Sequence, residues 1–213
     1  MGKVREYTGK DITILYEVAR CFHAEECVHG APGVFEKDTR PWVRPDGDDP
    51  ARTAEVIQQC PTGALHYHAK DAALNEIPPS ENVITVTEDG PLLVRGNMEI
   101  VLPEAPLQET RVAFCRCGAS ANKPFCDGSH KKAGFSDLGP KVSDPVEIAP
   151  PSGGVLKVTP SRNGPLLASG SLTLRNQAGE LVARIEKTAF CRCGASANKP
   201  YCDGSHQRIG FVG

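Results

Sequence analysis

The sequence predicts an α+β protein, built mostly from small antiparallel β-sheets with short helices. Two features of its 213 residues indicate this architecture. Short runs of alternating apolar and polar residues, typical of strands, are separated by turns rich in Gly, Pro, Asn and Asp. Such runs lie at residues 83–87, 92–95, 98–102 and 110–114. The second feature is an internal repeat, in which similar runs recur after residue 154.

The charge balance argues against several classes of partner. A net charge of -2 provides no general attraction to nucleic acid or to a membrane surface. No apolar stretch of about 18 residues is present. Residues 1–10 also lack a basic region followed by an apolar run. We therefore expect a soluble, cytoplasmic protein with no nucleic-acid or membrane partner.

The nine cysteines favour metal binding over disulfides. Their number is odd, and they fall into three groups of three rather than into pairs. With 18 Pro, 21 Gly and only 39% apolar residues, small domains of this chain would bury little surface. We expect bound metal to contribute part of the folding free energy.

Residues 1–70 are predicted to form a strand–helix–strand domain. Alternation over residues 11–18 predicts the first strand. Asp49, which precedes a proline, is typical of a helix N-cap, and the helix should end at Cys60. Residues 64–69 alternate again and predict the second strand.

Three cysteines of this segment resemble half of a bacterial-type ferredoxin. Cys21, Cys27 and Cys60 match its C-x2-C-x2-C run and distant C-P, with Ala24 at the middle position. With C-F-H-A-E-E-C, R-P-W and C-P-T-G-A-L, roughly residues 5–70 resemble the divergent mono-cluster ferredoxin domain of bacteria. The resemblance implies a ferredoxin-like β-α-β fold holding a 3Fe-4S cluster, or a 4Fe-4S cluster completed by a non-cysteine ligand. A zinc site or inert thiols are the alternatives.

Four histidines lie in the same segment. His23 and His29 flank the second cysteine and are candidates for the non-cysteine ligand, although histidines near a cluster more often hydrogen-bond to sulfur or face water. His66 and His68 share one face of a short strand. We expect these two to be solvated or to lie at the edge of the core.

The repeat is most exact in one loop. Residues 115–130, C-R-C-G-A-S-A-N-K-P-F-C-D-G-S-H, recur at 191–206 with one change, Phe125 to Tyr201. The flanking strands differ more, which indicates that something bound to the loop constrains it. The predicted organisation is a domain at 1–70, a linker at 71–82, a domain at 83–143, a linker at 144–154 and a domain at 155–213.

Each copy offers three thiols and one imidazole at the spacing C-x-C-x8-C-x3-H, which suits one inorganic centre. The candidate ligands are Cys115, Cys117, Cys126, His130, Cys191, Cys193, Cys202 and His206. Gly118 would let the loop curl back so that two thiolates meet one metal. Asp127 and Asp203 are expected to be N-caps of short helices, with tuning of the cluster as a second role. Lys123 and Lys199 are expected to be solvated, and interaction with the cluster or with a redox partner is the alternative. A zinc ion would accept the same donors in a tetrahedron.

The pattern C-x-C-x2-S-x3-P-x-C-D-G-S-H resembles the signature of the CDGSH iron–sulfur (NEET) family. The resemblance covers about 130 residues and implies two 2Fe-2S clusters, one held by each set of three cysteines and one histidine. Members of that family are often homodimers joined through an intertwined β cap. Two tandem copies could therefore form a pseudo-dimer within one chain, and that chain could exist as a monomer.

Three functions are consistent with these sites. The first is electron transfer or redox sensing with a redox partner protein. The second is storage of iron–sulfur clusters and their transfer to an apo iron–sulfur acceptor. The third is a zinc-stabilised interaction module. No Ser/His/Asp grouping, phosphate loop or pair of acids indicates an enzyme.

Overall fold

The computed structural model describes residues 2–142, 145–147 and 153–213. The chain divides into two compact units, Met1–Ile77 (unit 1) and Pro78–Gly213 (unit 2). This division lies within residues 71–82, where Ala72–Leu74 form a 3-10 helix. Most of the predicted linker 144–154 lies outside the described residues.

Unit 1 is a three-stranded antiparallel sheet with helices packed on it. Its elements are β1 (Val4–Thr8), β2 (Ile12–Glu17), α1 (Glu26–Gly30), α2 (Pro50–Gln59) and β3 (Leu65–Ala69). The strand order is β1-β2-β3, with β2 paired antiparallel to both neighbours. The buried Val56 and Ile57 of α2 share one core with Ile12 and Ile14 of β2.

The predicted start and end of α2 are confirmed. The Asp49 carboxylate accepts hydrogen bonds from the backbone N–H groups of Ala51 at 2.9 Å and Arg52 at 3.2 Å. Pro50 occupies the first helical position, where its missing N–H costs nothing. Because the helix ends at Gln59, Cys60 lies in the turn that follows.

The described residues of unit 2 contain one seven-stranded sheet. Its strands are β4 (Val83–Val86), β5 (Leu92–Val101), β6 (Pro106–Phe114), β7 (Val146–Glu147), β8 (Leu156–Pro160), β9 (Leu166–Asn176) and β10 (Leu181–Phe190). Most neighbours pair antiparallel, including the long hairpins β5–β6 and β9–β10. Short helical turns, Ser129–Lys131 and α3 (Ser205–Arg208), follow the two repeated loops.

The prediction of separate strands at 92–95 and 98–102 is wrong, because both belong to β5. The Gly96–Asn97 pair forms a bulge, seen as a register shift between Arg95 and Met98, rather than a turn. The Asn82 side chain accepts a hydrogen bond from the backbone N–H of Asn97 at 2.9 Å. A Cβ atom at Gly96 would lie only 2.3 Å from the same Asn82 oxygen, so a larger residue there would displace the Asn82 side chain.

The two repeats share this sheet and its core. The first strand of each repeat pairs parallel with a long strand of the other: β4 with β9, and β8 with β5. The buried Asn82 also joins the repeats, because its amide donates to the carbonyl of Ser171 at 3.0 Å. One continuous set of buried side chains, including Val94, Met98, Leu172 and Leu174, therefore serves both halves.

No helix within the described residues is long and apolar enough to cross a membrane.

Candidate metal centres

Strands β6 and β10 lead directly into the two repeated loops. In the first loop, Cys115 N–H donates to the carbonyl of Pro124 at 2.9 Å, and Cys126 N–H donates to that of Ala113 at 2.8 Å. The second loop makes the same two bonds, from Cys191 and from Cys202, each at 2.9 Å. These bonds fold the loop back along its strand, so that residues 11 apart in sequence become neighbours.

The donors of the first loop are arranged as two pairs. The Sγ atoms of Cys115 and Cys117 are 3.7 Å apart, and the Cys126 Sγ lies 3.4 Å from Nδ1 of His130. Among the described residues, no three Cys, His, Asp or Glu side chains gather closely enough to hold a single ion. The observed arrangement is therefore two plus two, rather than four donors around one point.

The second loop repeats the first of these two pairs but not the cysteine–histidine pair. The Sγ atoms of Cys191 and Cys193 are again 3.7 Å apart. The Nδ1 atom of His206 is buried and has no hydrogen-bond partner within the described part of the chain. A buried ring nitrogen without a partner is unfavourable unless a ligand occupies it, and a metal would do so.

The thiols differ in acidity. A hydrogen bond from Cys117 lowers the pKa of Cys115 to about 6, although burial opposes the change. The same contact and burial raise the pKa of Cys117, and burial raises that of Cys126 to about 11. Burial, together with the charge of Lys131, lowers the pKa of His130 and so favours the neutral imidazole that binds metal. Metal binding would release the remaining thiol protons.

Backbone N–H groups point at the sulfur atoms. Ala119 N–H donates to Cys117 Sγ at 3.4 Å, and Gly128 N–H donates to Cys126 Sγ at the same distance. In the second loop, Gly204 N–H donates to Cys202 Sγ at 3.5 Å. Such bonds stabilise the thiolate form, which is the form that binds metal.

Asp127 stabilises the loop but is not the N-cap of the helical turn that follows, so the predicted position of the cap is wrong. Gly128 occupies the cap, with a left-handed φ of 87°. The Asp127 carboxylate accepts from Ser129 N–H at 3.0 Å and from Ala121 N–H at 2.8 Å. Asp203 makes the equivalent bonds at 2.9 and 2.8 Å. Each carboxylate therefore ties the middle of its loop to the turn that carries the histidine.

The expectation that Lys123 and Lys199 are solvated is also wrong. Both are half-buried, and each ammonium donates to a carbonyl of its own loop, that of Ser120 or Ser196, at 2.7 Å. The Ser120 hydroxyl is buried and donates to the Phe125 carbonyl at 2.6 Å. These side chains hold the loop in shape from within.

The two loops meet at their glycines. Cys117 and Cys193 form an isolated antiparallel bridge. A Cβ atom at Gly118 would lie 2.9 Å from the carbonyl oxygen of Cys193, and one at Gly194 would lie 2.9 Å from that of Cys117. Both glycines have left-handed φ angles, of 78° and 79°. Glycine is thus required for backbone conformation and for the contact between the loops.

Sequence analysis missed two buried arginines beside the sites. The Arg116 Nε donates to the Gly90 carbonyl at 2.8 Å, its guanidinium pairs with Asp137, and it stacks on a phenylalanine ring 5.2 Å away. The Nε of Arg192 donates to the carbonyl of Gly164 at 2.9 Å, and its guanidinium also donates to the backbone oxygen of Gly213 at 3.2 Å. Both arginines lie in the C-R-C motifs, but nothing local in the sequence indicates that they are buried.

Each arginine interacts electrostatically with a cysteine of the other repeat. Burial lowers the pKa of the Arg192 guanidinium, and a negative charge at Cys115 of the other repeat acts in the opposite direction. Burial likewise lowers the pKa of Arg116, with Asp137 as the main opposing charge and Cys191 of the other repeat as a smaller one. Each site is therefore close to a cation supplied by the other half.

In unit 1, the three cysteines line one cavity of about 260 Å³. Cys21, Cys27 and Cys60 are all half-buried there, together with Tyr16 and Trp42. Burial, assisted by the charges of Cys60 and Cys21, raises the pKa of Cys27 to about 12. The thiols are thus near enough to repel one another as thiolates, a repulsion that a bound cationic centre would remove.

The four histidines of unit 1 differ in whether they line this cavity. His23 lines the cavity with the cysteines, whereas His29 does not. His66 is half-buried and His68 is exposed, and neither lines the cavity. The Thr62 hydroxyl, which the sequence did not single out, lies 3.4 Å from Cys60 Sγ.

Comparisons with known proteins match the segments that carry these sites. Residues 7–70 match the model of a family described as "Divergent 4Fe-4S mono-cluster". Residues 89–131 and 163–207 match the family "Iron-binding zinc finger CDGSH type". Uncharacterized protein YjdI of Escherichia coli, from strain K12 and from O157:H7, is 41% identical over 69 residues, which are 32% of this chain and 91% of the relative. No solved structure matches significantly.

The chain is therefore an iron–sulfur-binding protein that belongs to the divergent 4Fe-4S mono-cluster family through residues 7–70 and to the CDGSH iron-binding family through residues 89–131 and 163–207.

Proposed function

We propose that this protein acts in electron transfer or redox sensing, with a 2Fe-2S cluster in each repeated loop and a third cluster, 3Fe-4S or 4Fe-4S, in unit 1. The observation that carries the proposal is the pairing of donors in the first loop, Cys115 with Cys117 and Cys126 with His130. Two irons, each bound by two protein ligands, need two pairs, whereas a lone zinc ion needs four donors around one centre.

The distances fit this interpretation. With metal–sulfur bonds of about 2.3 Å and a tetrahedral angle, two sulfurs on one metal are about 3.8 Å apart. The observed separation is 3.7 Å for Cys115–Cys117 and for Cys191–Cys193. A sulfur and a ring nitrogen on one metal should be about 3.5 Å apart. Cys126 and His130 are separated by 3.4 Å.

The protein surroundings would tune such a centre. A bound 2Fe-2S cluster supplies one-electron chemistry. Replacement of one thiolate by neutral imidazole makes the site less negative, which places its expected potential between roughly -400 mV for plant-type ferredoxins and roughly -150 to +300 mV for Rieske centres. The N–H bonds to sulfur and the buried Arg116 and Arg192 act in the same direction, because both favour the more negative, reduced state.

We further propose that the two repeats form a pseudo-dimer and that the chain is a monomer. The parallel pairings β4–β9 and β5–β8, the shared core and the reciprocal contact of Gly118 and Gly194 support this view. Sedimentation equilibrium tests it, with a monomer mass expected; a stable homodimer would contradict it.

A second function, storage of clusters and their transfer to an apo iron–sulfur acceptor, is favoured by exposure. Cys117, Cys193 and Cys202 are only half-buried, so an acceptor thiol could reach them. Stopped-flow reduction beside a transfer assay to an apo-ferredoxin separates the two functions. Fast reduction with slow transfer supports electron transfer, and the reverse supports delivery.

A zinc-stabilised interaction module is the remaining alternative, and anaerobic purification tests it. A coloured, redox-active protein supports the proposal, whereas a colourless protein loaded with zinc refutes it. We propose no catalytic turnover, and the partner is a redox protein or an apo acceptor.

A further inference from the structure

We propose that His23 is the fourth protein ligand of the cluster in unit 1, which is then 4Fe-4S. The inference rests on the proposed function, namely that Cys21, Cys27 and Cys60 bind an iron–sulfur cluster. It goes further by assigning the donor that the sequence lacks at Ala24, where the resembling ferredoxins have a cysteine.

The cavity identifies the histidine. Its lining includes all three cysteines and His23, which is the only histidine there. His29 is two residues beyond Cys27 in α1 and does not contribute to the lining. Of the two histidines that flank Cys27 in sequence, only His23 therefore lines the cavity that the three thiols share.

Other oxygen donors in the cavity are already engaged. The Thr62 hydroxyl contacts Cys60 Sγ at 3.4 Å and accepts from Ala64 N–H at 3.0 Å. The Tyr16 hydroxyl shares a hydrogen bond with Cys21. The Glu25 carboxylate is 3.9 Å from the Lys37 ammonium. The imidazole of His23, which is exposed, has no hydrogen-bond or ion-pair partner within the described part of the chain, so it is available to bind a metal.

Glu26 is the competing donor, since it also lines the cavity. Iron–sulfur clusters take thiolate and imidazole as their common protein ligands, whereas carboxylates prefer harder cations. Glu26 also lies in the first turn of α1, where the helix end already favours a negative side chain. These two points favour the imidazole over the carboxylate.

The backbone on either side of Ala24 is unusual. His23 and Glu25 have left-handed φ angles of 59° and 65°, although neither is glycine. This conformation is unfavourable for any residue other than glycine, and such strain is concentrated at functional sites. The loop thus maintains an unfavourable conformation around the position where the ferredoxin ligand would be, which is expected if His23 takes its place.

Low-temperature EPR of the full-length, oxidised protein tests the assignment. Oxidised 2Fe-2S and 4Fe-4S clusters are EPR-silent, whereas an oxidised 3Fe-4S cluster gives a signal. The wild type should therefore be silent with about eight irons per chain. His23→Ala should lose about one iron and gain the signal, and His23→Cys should stay silent because a thiolate replaces the imidazole. His29→Ala is the matched control and should equal the wild type.

Each other outcome decides against the proposal. A 3Fe-4S signal in the wild type means that there is no fourth ligand. An unchanged His23→Ala spectrum, or a signal in Glu26→Gln but not in His23→Ala, excludes His23. Loss of all unit 1 iron in both His23 variants would show a structural role instead. If the wild type holds only about four irons, the proposed cluster in unit 1 fails first, and that result is distinct from a failure of His23 alone.

Discussion

Substitution of Gly118 by alanine should weaken unit 2 far more than an ordinary glycine substitution. The new Cβ would lie 2.9 Å from the carbonyl oxygen and 3.2 Å from the carbonyl carbon of Cys193. These are backbone atoms, which cannot move aside as a flexible side chain can. The left-handed φ of 78° adds its own cost for any residue with a side chain.

The magnitude follows from these two terms. A left-handed conformation costs a non-glycine residue about 1–2 kcal/mol. Forcing a methyl group into packed atoms costs typically about 1–3 kcal/mol. Gly118→Ala should therefore destabilise unit 2 by about 2–5 kcal/mol, and Gly194→Ala should match it. Gly134→Ala is the control, because its φ is 62° but no atom lies within 4 Å of its Cβ position; it should cost only about 1–2 kcal/mol.

Guanidinium unfolding provides the assay. Visible circular dichroism bands specific to the two 2Fe-2S clusters follow unit 2, and at a slope of about 4 kcal/mol per M the Gly118 variant should lose about 0.5–1.25 M in midpoint. The chain has a single tryptophan, Trp42 in unit 1, so its fluorescence transition is an internal control that should not move. Equal midpoints for the Gly118 and Gly134 variants would refute the close contact between the two loops.

Three further predictions concern charges at the sites. Asp127→Asn should cost about 1 kcal/mol near pH 7. Burial acts to raise the pKa of Asp127, but hydrogen bonds from the Ser129 hydroxyl and from the N–H groups of Ser129 and Ala121 outweigh it and lower the pKa. The stabilisation by Asp127 is therefore complete above about pH 4 and is lost as the pH falls through the folded pKa. The free energy of unfolding should therefore fall less between pH 7 and acid pH in the variant than in the wild type. Acidification below about pH 6 should speed the loss of visible colour, because protonated imidazole cannot bind metal. The double variant His130→Cys, His206→Cys should lose its colour more slowly, because thiolates replace the imidazoles. Equal rates of colour loss in acid for the variant and the wild type would refute histidine ligation. Asp137→Asn should cost about 1–3 kcal/mol, because the buried Arg116 loses its carboxylate, and an unchanged melting temperature would show that this ion pair contributes nothing.

Local patterns in the sequence were enough to predict some of this structure. The cap at Asp49 and the end of α2 before Cys60 follow from short-range chemistry, and both are confirmed. The family assignments also follow from motifs that are contiguous in sequence. The spacing in the sequence grouped the four candidate ligands of the first loop. The structure adds that they form two pairs, Cys115 with Cys117 and Cys126 with His130.

Features that depend on distant residues were not predictable. The Gly96–Asn97 pair has the composition of a turn, but Asn82, 15 residues away, holds it as a bulge within β5. The pairing of β4 with β9 joins segments about 90 residues apart, and no local pattern encodes it. The burial of Arg116 and of Lys123 depends on carbonyl groups that only the folded loop brings together.

Metal and sulfide analysis of freshly isolated, anaerobic, full-length protein, combined with a reductive titration of the same sample, tests the central claim most directly. We predict iron and acid-labile sulfide in near-equal amounts, about four of each from the two repeated loops and three to four from unit 1, with one electron taken up per loop. Zinc without sulfide, in a colourless sample that takes up no electrons, would contradict the claim that the paired sulfur and nitrogen donors hold iron–sulfur clusters.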